Sequence, residues 1–207
     1  MNEIAVIIPT LNRVDFLMEA IRSVQNQTFD SITLHVVDNG STDATLETLV
    51  RESISHSIEK SGRAGAARMD GVGRTTEPFL LFLDDDDLLY PPALSALYSQ
   101  IVETGADICY GPMHEFGLAS YPVPLAPLTS STLIRRKVLD RVGNFEPSNY
   151  SWIEWMARVR SSEIRTAVVD QVVAGRRIHD SNLSREQNGM KPYFEILRAK
   201  LNQDPSH

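Results

Sequence analysis

Cysteine, basic charge and long apolar runs are what this sequence has least of. A single cysteine, Cys109, leaves no internal disulfide to form, and without several histidines it assembles no structural zinc site. The expected setting is a reducing cytoplasm. With 27 Asp and Glu against 20 Lys and Arg, the formal charge of minus 7 gives no broad positive field for nucleic-acid phosphates or an anionic membrane surface. Nucleic acid is therefore not an expected partner, although a local basic patch stays open. No apolar run approaches the ~20 residues that span a bilayer. The longest, Ile4 to Ile8 and Phe79 to Leu83, are strand-length, so no transmembrane segment is expected. Met1 to Pro9 lacks a basic leader and a small-residue cleavage site, which argues against a secretory signal. A cytoplasmic protein, or a peripheral one at the inner face of a membrane, fits these absences. There is no internal repeat and no low-complexity tract. What remains is 207 residues, 42% of them hydrophobic, enough for one real core.

The apolar runs alternate in period. Ile4-Ala5-Val6-Ile7-Ile8, closed by Pro9, is a β-branched stretch of the kind buried on both faces of a parallel sheet. From Asn12 to Asn26, Phe16, Leu17, Ala20, Ile21 and Val24 recur at helical spacing. Ile32 to Val37 predicts a second strand. Asp38 to Asp43 is a turn rich in cap residues before a helix over Ala44 to Ile54. Gly62 to Gly73 predicts loop plus helix, and Phe79 to Leu83 a third strand. Strand alternating with helix argues an α/β domain with a parallel sheet covered on both faces. Downstream, Pro91 to Thr104 reads as a helix with Gly105 at its end, and Asp107 to Tyr110 as a short strand. Gly111 to Thr129 has no clear period and reads as a long loop or a β-excursion. Leu133 to Val142 predicts a strand and helix, Trp152 to Arg160 a helix, and Ala167 to Val173 a last strand leading into Arg176-Arg177-Ile178-His179. Beyond Ser184 the tail is polar, with one amphipathic stretch at Tyr193 to Leu201.

Open parallel sheets bind ligands beyond the carboxyl ends of their strands. Here the polar clusters after successive strands are Thr10 to Arg13, Asp38 to Asp43 and Asp84 to Asp87, and they are expected to converge on one edge. Any one of them alone is also good turn chemistry. Four adjacent aspartates after Phe79-Leu80-Leu81-Phe82-Leu83 repel each other unless a cation compensates, and Mg²⁺ or Mn²⁺ suits carboxylate oxygen while leaving positions for substrate phosphate. An exposed acidic turn that binds nothing is the simpler reading of the same run. With the ion in place an acidic protein can hold an anionic diphosphate.

These residues resemble the family 2 glycosyltransferases. The matching pieces are Ile7-Ile8-Pro9-Thr10-Leu11-Asn12-Arg13, Val36-Val37-Asp38-Asn39-Gly40-Ser41-Thr42-Asp43, Gly65-Ala66-Ala67-Arg68 and Phe82-Leu83-Asp84-Asp85-Asp86-Asp87. They cover residues 1 to about 90, with looser matches at Arg135-Arg136, Gly143-Asn144-Phe145 and Arg177-Ile178-His179. The resemblance implies the GT-A fold, a Rossmann-like, mainly parallel sheet flanked by helices. It places one domain over residues 1–185, with a nucleotide-binding half over about 1–110, an acceptor half over 111–185 and a tail at 186–207. It implies an inverting transfer of sugar from a nucleoside-diphosphate sugar to an acceptor hydroxyl, with Mn²⁺ or Mg²⁺ as cofactor. Saccharide, lipid-linked, peptide and small-molecule acceptors all stay open, as does the oligomeric state, a homodimer included.

Carried over by position, Pro9, Thr10, Asn12, Arg13, Asp38 and Asn39 look like the pocket for base and ribose. Many relatives have two aspartates where this chain has Asp38-Asn39, which leaves uridine, thymidine and guanosine open. Asp84 and Asp86 correspond to the family's DXD pair, with Asp86 as the direct metal ligand and Asp85 near the ribose. His179 resembles a C-terminal histidine that reaches the metal or the diphosphate, and its other reading is structural. Arg68 faces the diphosphate or pairs with the acidic cluster. The general base of such a transfer is a carboxylate. The family's acidic pair is replaced here by Ser151 and Trp152, so either Glu154 takes the role or the base is missing. In the second case the chain is a glycosyltransferase-like module that binds a nucleotide sugar or a partner. Trp152, Trp155 and Met156 read as core or as a platform for the acceptor sugar.

Overall fold

The run Ile4 to Ile8 is fully buried because it lies in the middle of the molecule with helices on both sides. The computed structural model describes residues 3–118 and 125–180. Its first half alternates strand and helix: β1 (Ile4–Thr10), α1 (Val14–Gln25), β2 (Ile32–Asp38), α2 (Thr45–Arg51), β3 (His56–Ile58), α3 (Ala64–Arg74) and β4 (Phe79–Phe82). Then come β5 (Leu88–Leu89), α4 (Ala93–Thr104), β6 (Ile108–Tyr110), β7 (Met113–Gly117) and a short 3-10 helix (Thr129–Ser131). The chain continues through β8 (Thr132–Arg135), α5 (Lys137–Val142), α6 (Ser151–Arg160), β9 (Thr166–Val168) and β10 (Ala174–Ile178).

Seven strands form the main sheet in the order β3-β2-β1-β4-β8-β6-β9, and β5-β10-β7 form a second, smaller one. Neighbours in the main sheet run parallel except where β8 enters antiparallel between β4 and β6. Alternate side chains of each strand go to opposite faces. Ile4, Val6 and Ile8 of β1 and Phe79 and Leu81 of β4 therefore pack with Leu17, Ile21, Leu94, Leu97 and Ile101 of α1 and α4. Ala5 and Ile7, with Leu80 and Phe82, pack on the other side with Ala67 of α3 and with Trp152, Trp155 and Met156 of α6. The two tryptophans are thus core rather than a platform for a sugar, and the indole N–H of Trp155 is satisfied by the Gly143 carbonyl at 2.8 Å.

Strand order reverses at β1, with β2 and β3 to one side and β4 to the other, which makes the β1–β4 boundary the switch point where an open sheet binds ligands. Pro9 is tolerated inside β1 because the pairing with β4 ends at Ile7↔Phe82. The aspartate run leads directly from β4 into β5 of the small sheet, so the two sheets meet at that turn.

Several sequence expectations need correction. The segment Ala167 to Val173 is not one last strand. Pairing stops at Val168, and Val169 and Val173 are buried through single backbone bonds to Tyr110 and Pro112 while Asp170 and Gln171 turn in solvent. Their apolar character comes from burial without pairing. A separate β10 carries Arg176 and Arg177 within a strand rather than after one. Of the two readings of Gly111 to Thr129, a long loop or a β-excursion, the second holds for its described part, which contains β7 paired parallel to β10. Edge strand β3, three residues long with little apolar content, left no periodic trace. Helix α1 begins at Val14 rather than Asn12, whose φ of 55° is left-handed. The polar tail from 186 to 207, with the stretch Tyr193 to Leu201, lies outside the described residues.

Candidate functional site at the carboxyl edge of the sheet

The loop after β1 and the turn after β2 are stitched by one side chain. Asn12 Oδ1 accepts from the Thr42 amide at 2.7 Å and the Asp43 amide at 3.3 Å, and its own N–H donates to Ser41 Oγ at 2.9 Å. Asn tolerates the left-handed backbone this requires. Asp38, 1% exposed, accepts the Ser41 amide at 3.0 Å, and Asn39 Oδ1 accepts the Gly62 amide at 3.1 Å. The Asn39 amide donates to the Thr10 carbonyl at 2.8 Å, which ties the strand ends of β1 and β2 together. Among the residues assigned to a base and ribose pocket, Asn12, Asp38 and Asn39 thus use side-chain oxygens to hold these loops in shape.

The aspartate run is bonded to the same loop after β1. Thr10 Oγ1 donates to Asp85 Oδ2 at 2.7 Å, while Arg13 Nη1 reaches Asp85 Oδ1 at 3.2 Å and Asp86 Oδ2 at 2.8 Å. His179 Nε2 lies 2.9 Å from the same Asp86 Oδ2, and its ring packs against Phe16 with centroids 4.9 Å apart. Arg68 donates from Nη2 to Asp84 Oδ1 at 3.0 Å and from Nη1 to Ser151 Oγ at 2.9 Å, so the path from helix α6 to the aspartates runs Ser151–Arg68–Asp84. Of the two roles open to Arg68, pairing with the acidic cluster is the one these contacts display.

Burial and mutual repulsion set the charge state of the turn. Burial, with the Asp86 charge, pushes Asp85 up to about 6 against the pull of Arg13 and Thr10. Asp84 and Asp87 are raised by burial in the same way, with Arg68 opposing at Asp84. Carboxylates buried and crowded in this way favour a positive charge beside them. The donor chemistry of Asp84, Asp86 and His179, two carboxylates and an imidazole on one edge, fits a hard divalent ion. Among the described residues, however, no three His, Cys, Asp or Glu side chains are gathered in ligating geometry. The arginines hold the carboxylates instead.

Asp87 and Ser130 have no individual role in the sequence expectations, and Arg177, which with Arg176 reads from the sequence as a contact for a diphosphate or as a solvated side chain, joins them in building the turn. Asp87 Oδ2 accepts from Ser130 Oγ at 2.7 Å and its Oδ1 from the Arg177 amide at 3.2 Å, while Ser130 Oγ accepts the Asp84 amide at 3.1 Å. The Arg177 guanidinium donates to the Asp86 carbonyl at 3.1 Å and to Glu19 at 2.5 Å, between the rings of Phe16 and Phe116. It braces the aspartate turn rather than extending toward a diphosphate. The only sequence signal was its neighbourhood to His179.

Glu154 lies in the first turn of α6. Its Oε2 accepts from Ser148 Oγ at 2.9 Å, in the loop before α6. Ser151 and Trp152, at the positions of the expected acidic pair, are both buried, one bonded to Arg68 and the other donating its indole N–H to the Pro127 carbonyl at 2.8 Å.

A mainly parallel α/β sheet with acidic and basic side chains gathered at its switch point defines a ligand-binding α/β domain. Comparison with known proteins narrows this. The family model described as Glycosyl transferase family 2 matches residues 5–164, and the chain belongs to that family. It is 32% identical over 120 residues to glycosyltransferase GlyA of Streptococcus pneumoniae, a match covering 56% of this chain and 17% of that protein. The match spans less than half of these curated relatives' own length, for example 40% of glycosyltransferase GlyG from the same organism. Among solved structures, S. aureus TarS 1-349 in complex with UDP-GlcNAc superimposes with a TM-score of 0.75 at 20% identity, over 95% of this chain and 65% of that one. Glucosyl-3-phosphoglycerate synthase from Mycobacterium tuberculosis, in complex with Mn²⁺, UDP and glucosyl-3-phosphoglycerate, has a TM-score of 0.76 at 18% identity, over 99% and 82%. These likenesses show the GT-A fold. No helix among the described residues is long and apolar enough to cross a membrane.

Proposed function

We propose that this chain is a metal-dependent, inverting glycosyltransferase domain that moves a sugar from a nucleoside-diphosphate sugar to an acceptor hydroxyl. The observation that carries the reading is the meeting of Asp86, Arg13 and His179 at the switch point of a family 2 sheet. The solved relatives with UDP-GlcNAc and with Mn²⁺ and UDP support the donor class. Asp86 and His179, with Asp84, would hold Mn²⁺ or Mg²⁺, which when bound neutralises charge on the departing diphosphate. Pro9, Thr10, Asn12, Arg13, Asp38 and Asn39 form the wall for base and ribose, and Asp85, fixed by Thr10 and Arg13, turns toward the ribose. Glu154 accepts the proton of the attacking hydroxyl, on the face of the sugar opposite the diphosphate, with Ser148 orienting its carboxylate. The single buried thiol, Cys109, suits a reducing compartment, and the domain works in the cytoplasm or against the inner face of a membrane.

Calorimetry with UDP, GDP and dTDP in the presence of Mn²⁺ tests the reading. One of them binds the wild type, and Asp86→Ala abolishes that metal-dependent binding; no binding of any by the pure wild-type protein rules the donor class out.

Ser151 and Trp152, with no proton acceptor at either position, favour a second reading as a module that binds a nucleotide sugar without turnover. Metal-dependent release of sugar from a bound donor, lost in Glu154→Gln with nucleotide affinity intact, supports the enzyme. Binding without turnover across a donor and acceptor panel supports the module.

A further inference from the structure

We infer that Arg13 is the built-in counter-cation of the aspartate turn, which leaves Asp86 when a divalent ion arrives and carries its charge to the donor's diphosphate. The inference rests on the metal-dependent reading above. One oxygen, Asp86 Oδ2, serves both Arg13 Nη1 at 2.8 Å and His179 Nε2 at 2.9 Å. A metal using that oxygen and His179 needs the space in which the guanidinium now lies, so ion and arginine compete for one position. Arg13 is the arginine able to yield. Its side chain is 27% exposed and sits just before α1 on the loop that bounds the donor wall, whereas Arg68, on Asp84, is 6% exposed and wedged against Ser151. A fork-shaped cation displaced from a carboxylate pairs equally well with phosphate oxygens.

Reciprocity follows from the competition. A diphosphate that draws Arg13 away uncovers Asp86 and raises metal affinity, and the ion raises nucleotide affinity by the same factor. Without nucleotide the wild type is a poor metal binder, because Arg13 already neutralises the ligand.

The test is Mn²⁺ binding to the whole chain without nucleotide, followed by electron paramagnetic resonance of the free ion, for wild type, Arg13→Gln and Arg13→Lys. Arg13→Gln is expected to bind Mn²⁺ about two- to fivefold more tightly than wild type, as befits loss of a partly exposed ion pair, and to gain less from added UDP than wild type does. Arg13→Lys, which keeps the charge without the fork, is expected to fall between. Mn²⁺ affinity in Arg13→Gln that equals or falls below the wild-type value overturns the inference, and so does an absence of Mn²⁺ binding in that variant. If the Gln variant does not fold, a Lys variant of wild-type affinity overturns it. Failure of UDP, GDP and dTDP to bind any variant with metal present strikes the donor reading instead, and leaves the comparison of Mn²⁺ affinities to decide the role of Arg13.

Discussion

Ser130 shows how a residue without charge governs a charged site. It is 1% exposed, donates to Asp87 and accepts from the Asp84 amide, so its hydroxyl closes the turn between the first and last aspartates. Removing it leaves a buried carboxylate and a backbone N–H without that partner, at a cost of about 1–3 kcal/mol. Ser130→Ala is therefore expected to lower unfolding stability by that amount in urea titration, while Ser95→Ala, on an exposed hydroxyl pair with Thr28, stays within ~0.5 kcal/mol. Equal effects for the two variants would remove the keystone role of Ser130. The aspartates themselves were legible in the sequence because a four-residue run of one charge demands a compensating partner. Ser130 was not, since it comes 43 residues after Asp87 and nothing local distinguishes one serine from another. The same holds for Arg177, whose partners Glu19, Phe16 and Phe116 come from α1 and β7.

At the level of elements, the seam between α3 and α6 relates the donor side to the helix that carries Glu154. Gly65 makes the seam possible. A Cβ there would sit 1.8 Å from the Glu146 carbonyl oxygen and 2.7 Å from Ser151 Cβ, so any side chain forces the loop before α6 outward. Gly65→Ala is expected to cost roughly 1–3 kcal/mol by overpacking and to loosen the Ser151–Arg68–Asp84 path. Gly73, in the same helix with open space around it, is the control: Gly73→Ala is expected to add about 0.5–1 kcal/mol from helix propensity alone. Thermal unfolding of the pair checks this, and a Gly65→Ala protein as stable as wild type contradicts the close packing. Elements with strong periodicity, β1, α1, β2, β4, α4 and α6, were readable to within a few residues. The short strands β3 and β5 were not, because two or three residues carry no period and their pairing is decided by chain segments far away in sequence, while β7 was legible only as one of two readings and β9 only with its end placed too late.

For the whole molecule, acid stability depends on groups outside the site. His35 is buried between β2 and β3, its ring nitrogens each 3.0 Å from Ser55 and Ser57 hydroxyls, with Asp70, Arg74 and His56 nearby. Burial lowers its pKa below the usual value near 6.5 despite the pull of Asp70. The unfolded chain then binds the proton first, so this contribution is full above about pH 6.5 and is lost as the pH falls toward the folded value. Asp107 acts at lower pH. Although burial pushes it up, the Arg165 amide, Arg141 and Lys137 hold it below the ordinary carboxylate range, so its stabilisation is lost as the pH drops through its folded value. Asp85, pushed up to about 6, titrates with the opposite sign in the window of His35, so the readout is a difference. Between pH 7.5 and 5.5 the urea midpoint of the wild type is expected to fall relative to that of His35→Gln, and parallel curves would dismiss the histidine.

The placement of the tryptophans has an optical consequence. The chain has two, Trp152 and Trp155, and both lie on α6 in contact with Phe145. Intrinsic emission excited near the red edge of protein absorbance therefore originates from a single helix, whose first residue touches Arg68 and through it Asp84. The protein carries its own unlabelled reporter on the seam beside the aspartates.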